Sequence, residues 1–266
     1  MRKRTVYTVL LISCLIGFWV FEHFCTPATY SVPKGEDPRA KIASHILPSS
    51  TTGVIVEHTN YSLSYNETYE QAEWVAYALK KNHLTNDDRK RPYFIEDPKV
   101  RTKSADWRNY RGSGYDRGHL CPAGDRRFSE YAYKETFYTS NISPQNNDFN
   151  AGIWNRLEQK VRYWAKKYDN LFVITAGVLE KGLSTIGDED VAVPEYYYKI
   201  VFVGNLDNPR MLGFLMPHKE STAPLQNFVV PIDEIEHMTG IDFFGYLPDS
   251  LEKKLESTVN LKGWVF

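Results

Sequence analysis

Cysteine is scarce in this chain, with three residues among 266. Cys14 and Cys25 fall in an apolar N-terminal segment, which leaves Cys121 alone in the body. No disulfide can form within that body. A lone cysteine more often fills a small buried space than attacks a substrate, so Cys121 reads as packing ahead of nucleophile. Net charge is nearly absent, −1 at pH 7, and by itself it points to no polyanionic partner. Repeats and low-complexity tracts are missing, which excludes solenoids and disordered chains. Tyr110 to Tyr115 is a glycine-rich turn, but no Gly-Lys-Ser/Thr follows it, which excludes a P-loop. Long apolar runs are in short supply too: the core from Val6 to Phe21, free of charge but containing Thr8 and Ser13, is about 16 residues, against the ~20 that span a bilayer.

What is present can build a core. Hydrophobic residues make up 42% of the chain and aromatics 14%, in a length suited to one large domain or two small ones. Met1-Arg2-Lys3-Arg4 precedes a mostly apolar stretch from Val6 to Phe24. Residues 1–25 read as a signal peptide or membrane anchor. Three fates compete: a retained single-pass anchor, cleavage after Ala28, or a lipoprotein signal ending at Cys14. All three place the body outside the cytoplasm, anchored or secreted, because the basic end stays inside. Residues 26–52 are rich in Pro, Ser, Thr and Gly and read as a linker. The domain proper is expected over 53–266.

Within it, short strands are expected near Gly53–His58 and Tyr61–Tyr65. Gln71 to Leu79 fits either a helix or a central strand. Ser129–Phe137 reads as a helix, and Asn141–Asn147, polar with Pro144, as a loop. Phe149 to Tyr168 reads as one long amphipathic helix, with Ile153, Leu157, Val161 and Trp164 on one side. Strands are expected at Leu171–Gly177, Tyr196–Val203 and Met211–Met216, and short helices at Pro231–Met238 and Leu251–Leu255. Strands and helices without a regular alternation predict an α+β fold, a mixed central sheet with flanking helices.

The small net charge hides an asymmetry. Lys80 to Arg127 carries 13 Lys/Arg against 7 Asp/Glu, and Glu180 to Phe266 carries 7 against 14. The basic part contains Tyr115-Asp116-Arg117-Gly118-His119-Leu120. A neutral imidazole can act as a base near pH 7. An arginine can clamp a phosphate through paired hydrogen bonds. An asparagine oxygen is a hard neutral ligand that suits Mg²⁺. Asn141, Asn150, Glu158 and Arg162 follow, with Glu158 and Arg162 one i,i+4 step apart. Upstream, Arg91 lies among Arg89-Lys90-Arg91-Pro92-Tyr93-Phe94, a mix of cations and rings that can hold a backbone and stack on bases.

Asp116-Arg117-Gly118-His119, Asn141 in Thr139-Ser140-Asn141-Ile142-Ser143-Pro144-Gln145, and the run from Phe149 to Glu158 together resemble the DNA/RNA non-specific endonucleases. The resemblance runs from about Tyr61 to the C-terminus. It implies a ββα-metal motif, with His119 on a hairpin and Asn150 on the helix packed against it. It favours a strand for Gln71–Leu79. It implies hydrolysis of phosphodiesters in DNA and RNA alike, leaving 5′-phosphate and 3′-hydroxyl ends. His119 is expected as the general base and Asn150 as the ligand of one Mg²⁺, with Mn²⁺ able to substitute. Arg117, Arg162 and Arg91 are expected to contact the substrate. Glu158 is expected to orient a metal water, and Asn141 to orient His119 or touch the phosphate. Asp116 reads as a hydrogen-bonder that fixes the turn. Family members are often dimers, so a homodimer is an expectation, as is a membrane contact if the N-terminal segment is retained. The alternative function is a catalytically weak, exported nucleic-acid-binding or uptake protein. A hydrolase built on Cys121 is the remaining enzymatic alternative.

Overall fold

The fold is described by a computed structural model, over residues 3–24, 29–30, 46–203 and 209–266. Most of the expected linker at 26–52 lies outside the described residues. Helix α1 (Lys3–Phe24) covers the apolar N-terminal segment. No helix among the described residues is long and apolar enough to cross a membrane. The expected single-pass anchor is therefore corrected, in keeping with an apolar core of about 16 residues where a span needs ~20.

The body is built on a sheet of seven strands: β1 (Ile55–Glu57), β2 (Ser62–Asn66), β3 (Gln71–Leu79), β6 (Leu171–Gly177), β9 (Tyr196–Val203), β10 (Arg210–Pro217) and β11 (Val229–Val230). They lie in the order β1-β2-β3-β6-β9-β10-β11, and every pairing is antiparallel. The α+β class holds. Gln71–Leu79 is a strand, central and almost wholly buried. Its ambiguity had a cause: burial on both faces erases the alternation that marks a half-buried strand.

Two smaller ribbons complete the strands. One pairs β4 (Asp116–His119) with β5 (Ile142–Gln145), and the other pairs β7 (Thr185–Ile186) with β8 (Val191–Ala192). The expected loop at Asn141–Asn147 is thus largely a strand. Pro144 is tolerated because β5 is an edge strand of a two-stranded ribbon.

The helices are α2 (Glu130–Glu135), α3 (Asn147–Phe149), α4 (Asn155–Tyr168), α5 (Ile232–Thr239) and α6 (Asp249–Glu256). Leu157, Val161, Trp164 and Ala165 form the buried stripe of α4 against the sheet. The expected single helix over 149–168 is broken. A π-helical turn over Asn150–Trp154 joins α3 to α4, and Gly152 has non-helical backbone angles (φ −94°, ψ −108°). A Cβ there would run into the carboxylate of Glu220, whose Oε2 accepts the Ile153 N–H at 2.7 Å. The widened turn re-aims Asn150 relative to α4.

A second, aromatic core holds Phe94, Tyr110, Phe137, Tyr138 and Ile142 beneath the β4–β5 ribbon. Beside it His58 is buried between two carboxylates, with Nε2 2.7 Å from Asp97 and Nδ1 3.4 Å from Glu135. Burial alone would lower the pKa of His58, but Asp97 and Glu135 outweigh it and hold the imidazole above its ordinary value.

Candidate active site

The ribbon sets the motif residues in register. Asp116 faces Gln145, Arg117 faces Pro144, Gly118 faces Ser143 and His119 faces Ile142. Gly118 lies directly over the buried Gln145 side chain, and a Cβ would overlap it. The motif glycine is required by that close approach.

His119 is half-buried between two rings. Phe137 meets it edge-on at 4.8 Å between centroids, and Phe94 lies at 5.6 Å. Burial, then Arg91, then Arg117 push its pKa down to about 3. The imidazole is neutral near pH 7, and its buried Nε2 has no hydrogen-bond partner among the described residues.

Arg91 and Arg117 both lie over Phe94, at 5.4 and 4.8 Å from the ring centroid. Trp107 lies 5.7 Å from Arg117. Among the described residues neither arginine has a salt bridge. Burial, then Arg91, lower the pKa of Arg117. Arg91, Arg117, Trp107, Tyr115, Asp116 and Asn150 line a cleft of about 450 Å³.

Asn150 reaches this cleft from the start of the π-helical turn. Its Nδ2 donates to Asp116 Oδ2 at 3.0 Å, and Asn147 donates to the same oxygen at 3.1 Å. A carboxylate can only accept, so the amide nitrogen is fixed toward Asp116 and Oδ1 has no hydrogen-bond partner among the described residues. That oxygen is the kind of hard neutral donor that fits Mg²⁺, which keeps most of its waters. Asp116 thus orients the candidate ligand through a hydrogen bond.

The cap of this helix is held from far along the chain. Asn146 Oδ1 accepts the N–H groups of Asp148 and Phe149. The Asn146 N–H donates to His218 Nε2 at 2.7 Å, and the other ring nitrogen of His218 lies 2.8 Å from the Pro194 carbonyl. This pairing fixes the tautomer, with Nδ1 protonated. Burial lowers the pKa of His218.

Asn141 is fully buried and does not reach the cleft. Its Nδ2 donates to the carbonyls of Cys121 and Thr136, and its Oδ1 accepts the Cys121 N–H at 2.8 Å. It clamps the backbone just after His119. Glu158 and Arg162 form the expected i,i+4 pair at 3.1 Å, but neither lines the cleft. Arg162 also binds Asp125 at 2.6 Å, so two carboxylates already occupy its guanidinium. Burial raises the pKa of Glu158, with Lys199 and then Arg162 opposing. Cys121 is wholly buried, and burial first of all pushes its thiol up to about 12, too high for a thiolate nucleophile.

Sequence reasoning missed His218, Trp107 and Glu220. Only Trp107 left a local signal, in its arginine-rich surroundings.

Residues 39–250 match the model of the DNA/RNA non-specific endonuclease family. The chain belongs to this family. It is 36% identical over 233 residues to the human mitochondrial nuclease EXOG, covering 81% of this chain and 63% of the relative. It is 35% identical over 211 residues to the Mus musculus protein of that name, covering 73% and 57%. Bovine mitochondrial endonuclease G is 32% identical over 238 residues, covering 82% and 77%. The chain thus spans about six-tenths of the length of the EXOG relatives it matches. The crystal structure of the EndoG/EndoGI complex superposes with a TM-score of 0.69 at 32% identity, covering 76% of this chain and 88% of that one. Nucleases of the family are metal-dependent. The expectation of an extracytoplasmic protein is corrected here: these relatives are mitochondrial nucleases. The basic, apolar N-terminus has a charge and hydropathy shared by more than one kind of leader.

Proposed function

We propose that the chain is a metal-dependent endonuclease that hydrolyses phosphodiester bonds in DNA and RNA without selecting the sugar. One observation carries the reading. Arg91, Arg117 and Asn150, whose amide is held by Asp116, line one cleft beside the β4–β5 ribbon, the arginines have no carboxylate partner among the described residues, and the neutral His119 sits just outside that lining against the Phe94 ring that both arginines share.

His119 acts as the general base and takes a proton from the attacking water. The free site holds its pKa far below neutral, which makes a weak base. A bound phosphodiester offsets the charge of Arg91 and Arg117 and raises the imidazole back toward the range where proton transfer is efficient. Arg117 and Arg91 hold the phosphate, and their stacking on Phe94 keeps the guanidinium planes in place. Asn150 Oδ1 would hold the metal ion, Mg²⁺ or Mn²⁺, which when bound stabilises charge on the phosphoryl group and leaving oxygen. Asn141 positions His119 through the Leu120–Cys121 backbone. Glu158 and Arg162 brace α4 and contact neither the base nor the phosphate.

The test is cleavage of supercoiled plasmid and of RNA by the protein and by His119→Ala, with Mg²⁺ or EDTA. Both substrates are cut with Mg²⁺. EDTA abolishes cutting, and the variant loses at least ~10²-fold in rate. A protein that retards nucleic acid on a gel but never cuts it belongs to the binding-protein reading instead.

A further inference from the structure

Far along the chain from the motif, α5 and α6 bring acidic residues together. Asp233 and Glu236 lie on α5, and Glu256 ends α6. Each offers a carboxylate oxygen, and these oxygens all lie within 4.8 Å of one another. None of the three has a salt-bridge partner among the described residues.

An acidic cluster on a surface is ordinary, and solvent screens it. Glu256 is different: it is only 3% exposed, and its Oε1 is buried with no hydrogen-bond partner. A buried carboxylate oxygen without a partner is destabilising unless something positive or protonated meets it. Its nearest charged neighbours are the wrong sign. Burial, and then Glu236, Glu252, Asp233 and Asp242, push its pKa up to about 8. Glu236 is likewise raised by burial first, then by Asp242 and Asp233 among its neighbours, against the Phe243 N–H that its Oε1 accepts at 2.9 Å.

We propose that Asp233, Glu236 and Glu256 form a second divalent-cation site, of the Ca²⁺ kind, that ties α6 to α5. The donor set is all hard oxygen, which excludes the soft-ligand metals. Oxygens bound to one Ca²⁺ at about 2.3–2.6 Å lie no more than about 5 Å apart, which the cluster satisfies as it stands. Mg²⁺, at about 2.0–2.1 Å, would have to draw them closer. The ion gives the Glu256 oxygen its missing partner and cancels the mutual repulsion of the carboxylates. None of these residues lines the cleft, so the site is structural and independent of the nuclease reading.

The experiment is thermal unfolding of the full chain in EDTA, in CaCl₂ and in MgCl₂, at pH 8. Three proteins are compared: the unmodified chain, Glu256→Gln and Asn150→Ala. At ~100-fold excess over the dissociation constant, Ca²⁺ raises the midpoint of the unmodified chain by about 5 °C or more. Asn150→Ala keeps that rise, because its lesion is in the other site. Glu256→Gln loses it. Asp233→Asn, at an exposed position, serves the same purpose if Glu256→Gln does not fold. The proposal is overturned if Ca²⁺ leaves the unmodified midpoint in place. It is overturned equally if both acidic-site variants keep the full rise, or if Mg²⁺ alone produces it.

Discussion

At the scale of single residues, the site depends on side chains whose work is to aim others. Asp116 is the clearest case. It is part of the motif, yet both of its described side-chain hydrogen bonds go to the amides of Asn147 and Asn150. Removing it frees the Asn150 amide to rotate and scatters the oxygen proposed to hold the metal. Asp116→Ala should therefore raise the Mg²⁺ concentration for half-maximal cleavage by ~10–100-fold while leaving the far-ultraviolet circular dichroism unchanged. A plasmid-cleavage titration against Mg²⁺ checks this. His119, Arg117 and Asn150 could be found in the chain because their chemistry and spacing are local. The destinations of Asn141, Arg162 and His218 could not. Asn141 bonds to backbone 20 residues earlier, Arg162 to a carboxylate 37 residues away, and His218 to an N–H 72 residues away. Nothing within a window of sequence announces such pairings.

At the scale of elements, the site is a two-stranded ribbon laid against a kinked helix. One of its close approaches is where Gly118 passes over Gln145, whose side chain is fully buried. Gly118→Ala should destabilise the fold by about 1–3 kcal/mol through overpacking. It should also lower cleavage at temperatures where the protein stays folded, since His119 is the next residue. Urea unfolding and plasmid cleavage at 25 °C together decide it: a variant as stable and as active as the parent would remove the steric argument. Most elements were legible from pattern. The strands of the sheet carried apolar runs bounded by turns, and α4 carried its stripe. The ribbon strand β5 was not legible, because its polar residues and Pro144 read as loop until Asp116–His119 supplies the pairing. The break at Gly152 escaped for a similar reason: its cause is the Glu220 carboxylate, 67 residues from the N–H it binds.

At the scale of the whole molecule, histidines whose pKa is pushed down should set the acid limit of stability. His83 is 1% exposed, stacked on Phe128 at 4.5 Å, and burial, then Arg126, push its pKa down to about 4. His119 is held at about 3 for the reasons given above. A histidine whose folded pKa lies below its unfolded value stabilises above pH 6.5, and that contribution is lost as pH falls through the window down to its folded pKa. His58 has the opposite sign. Its raised pKa gives stability that is complete below pH 6.5 and is lost at higher pH, so it does not mask the acid window. His83 alone should account for about 2 kcal/mol lost between pH 6.5 and 5. Urea unfolding at pH 7 and pH 5 measures it. His83→Asn, which keeps an acceptor for the Lys80 N–H, should start less stable and lose less over that interval. Equal losses in both proteins would assign the acid limit to other groups.

The two guanidiniums that share the Phe94 ring have a meaning beyond holding substrate. Like charges that share one ring with no salt bridge among the described residues repel each other, and any polyanion that enters relieves that repulsion. Selectivity for nucleic acid over other anionic polymers cannot come from that pair. In the proposed reading it comes from the chemistry that follows capture, which acts on phosphodiesters alone. Heparin-like chains would then be silent occupants of the cleft: welcomed by its charge and untouched by its chemistry.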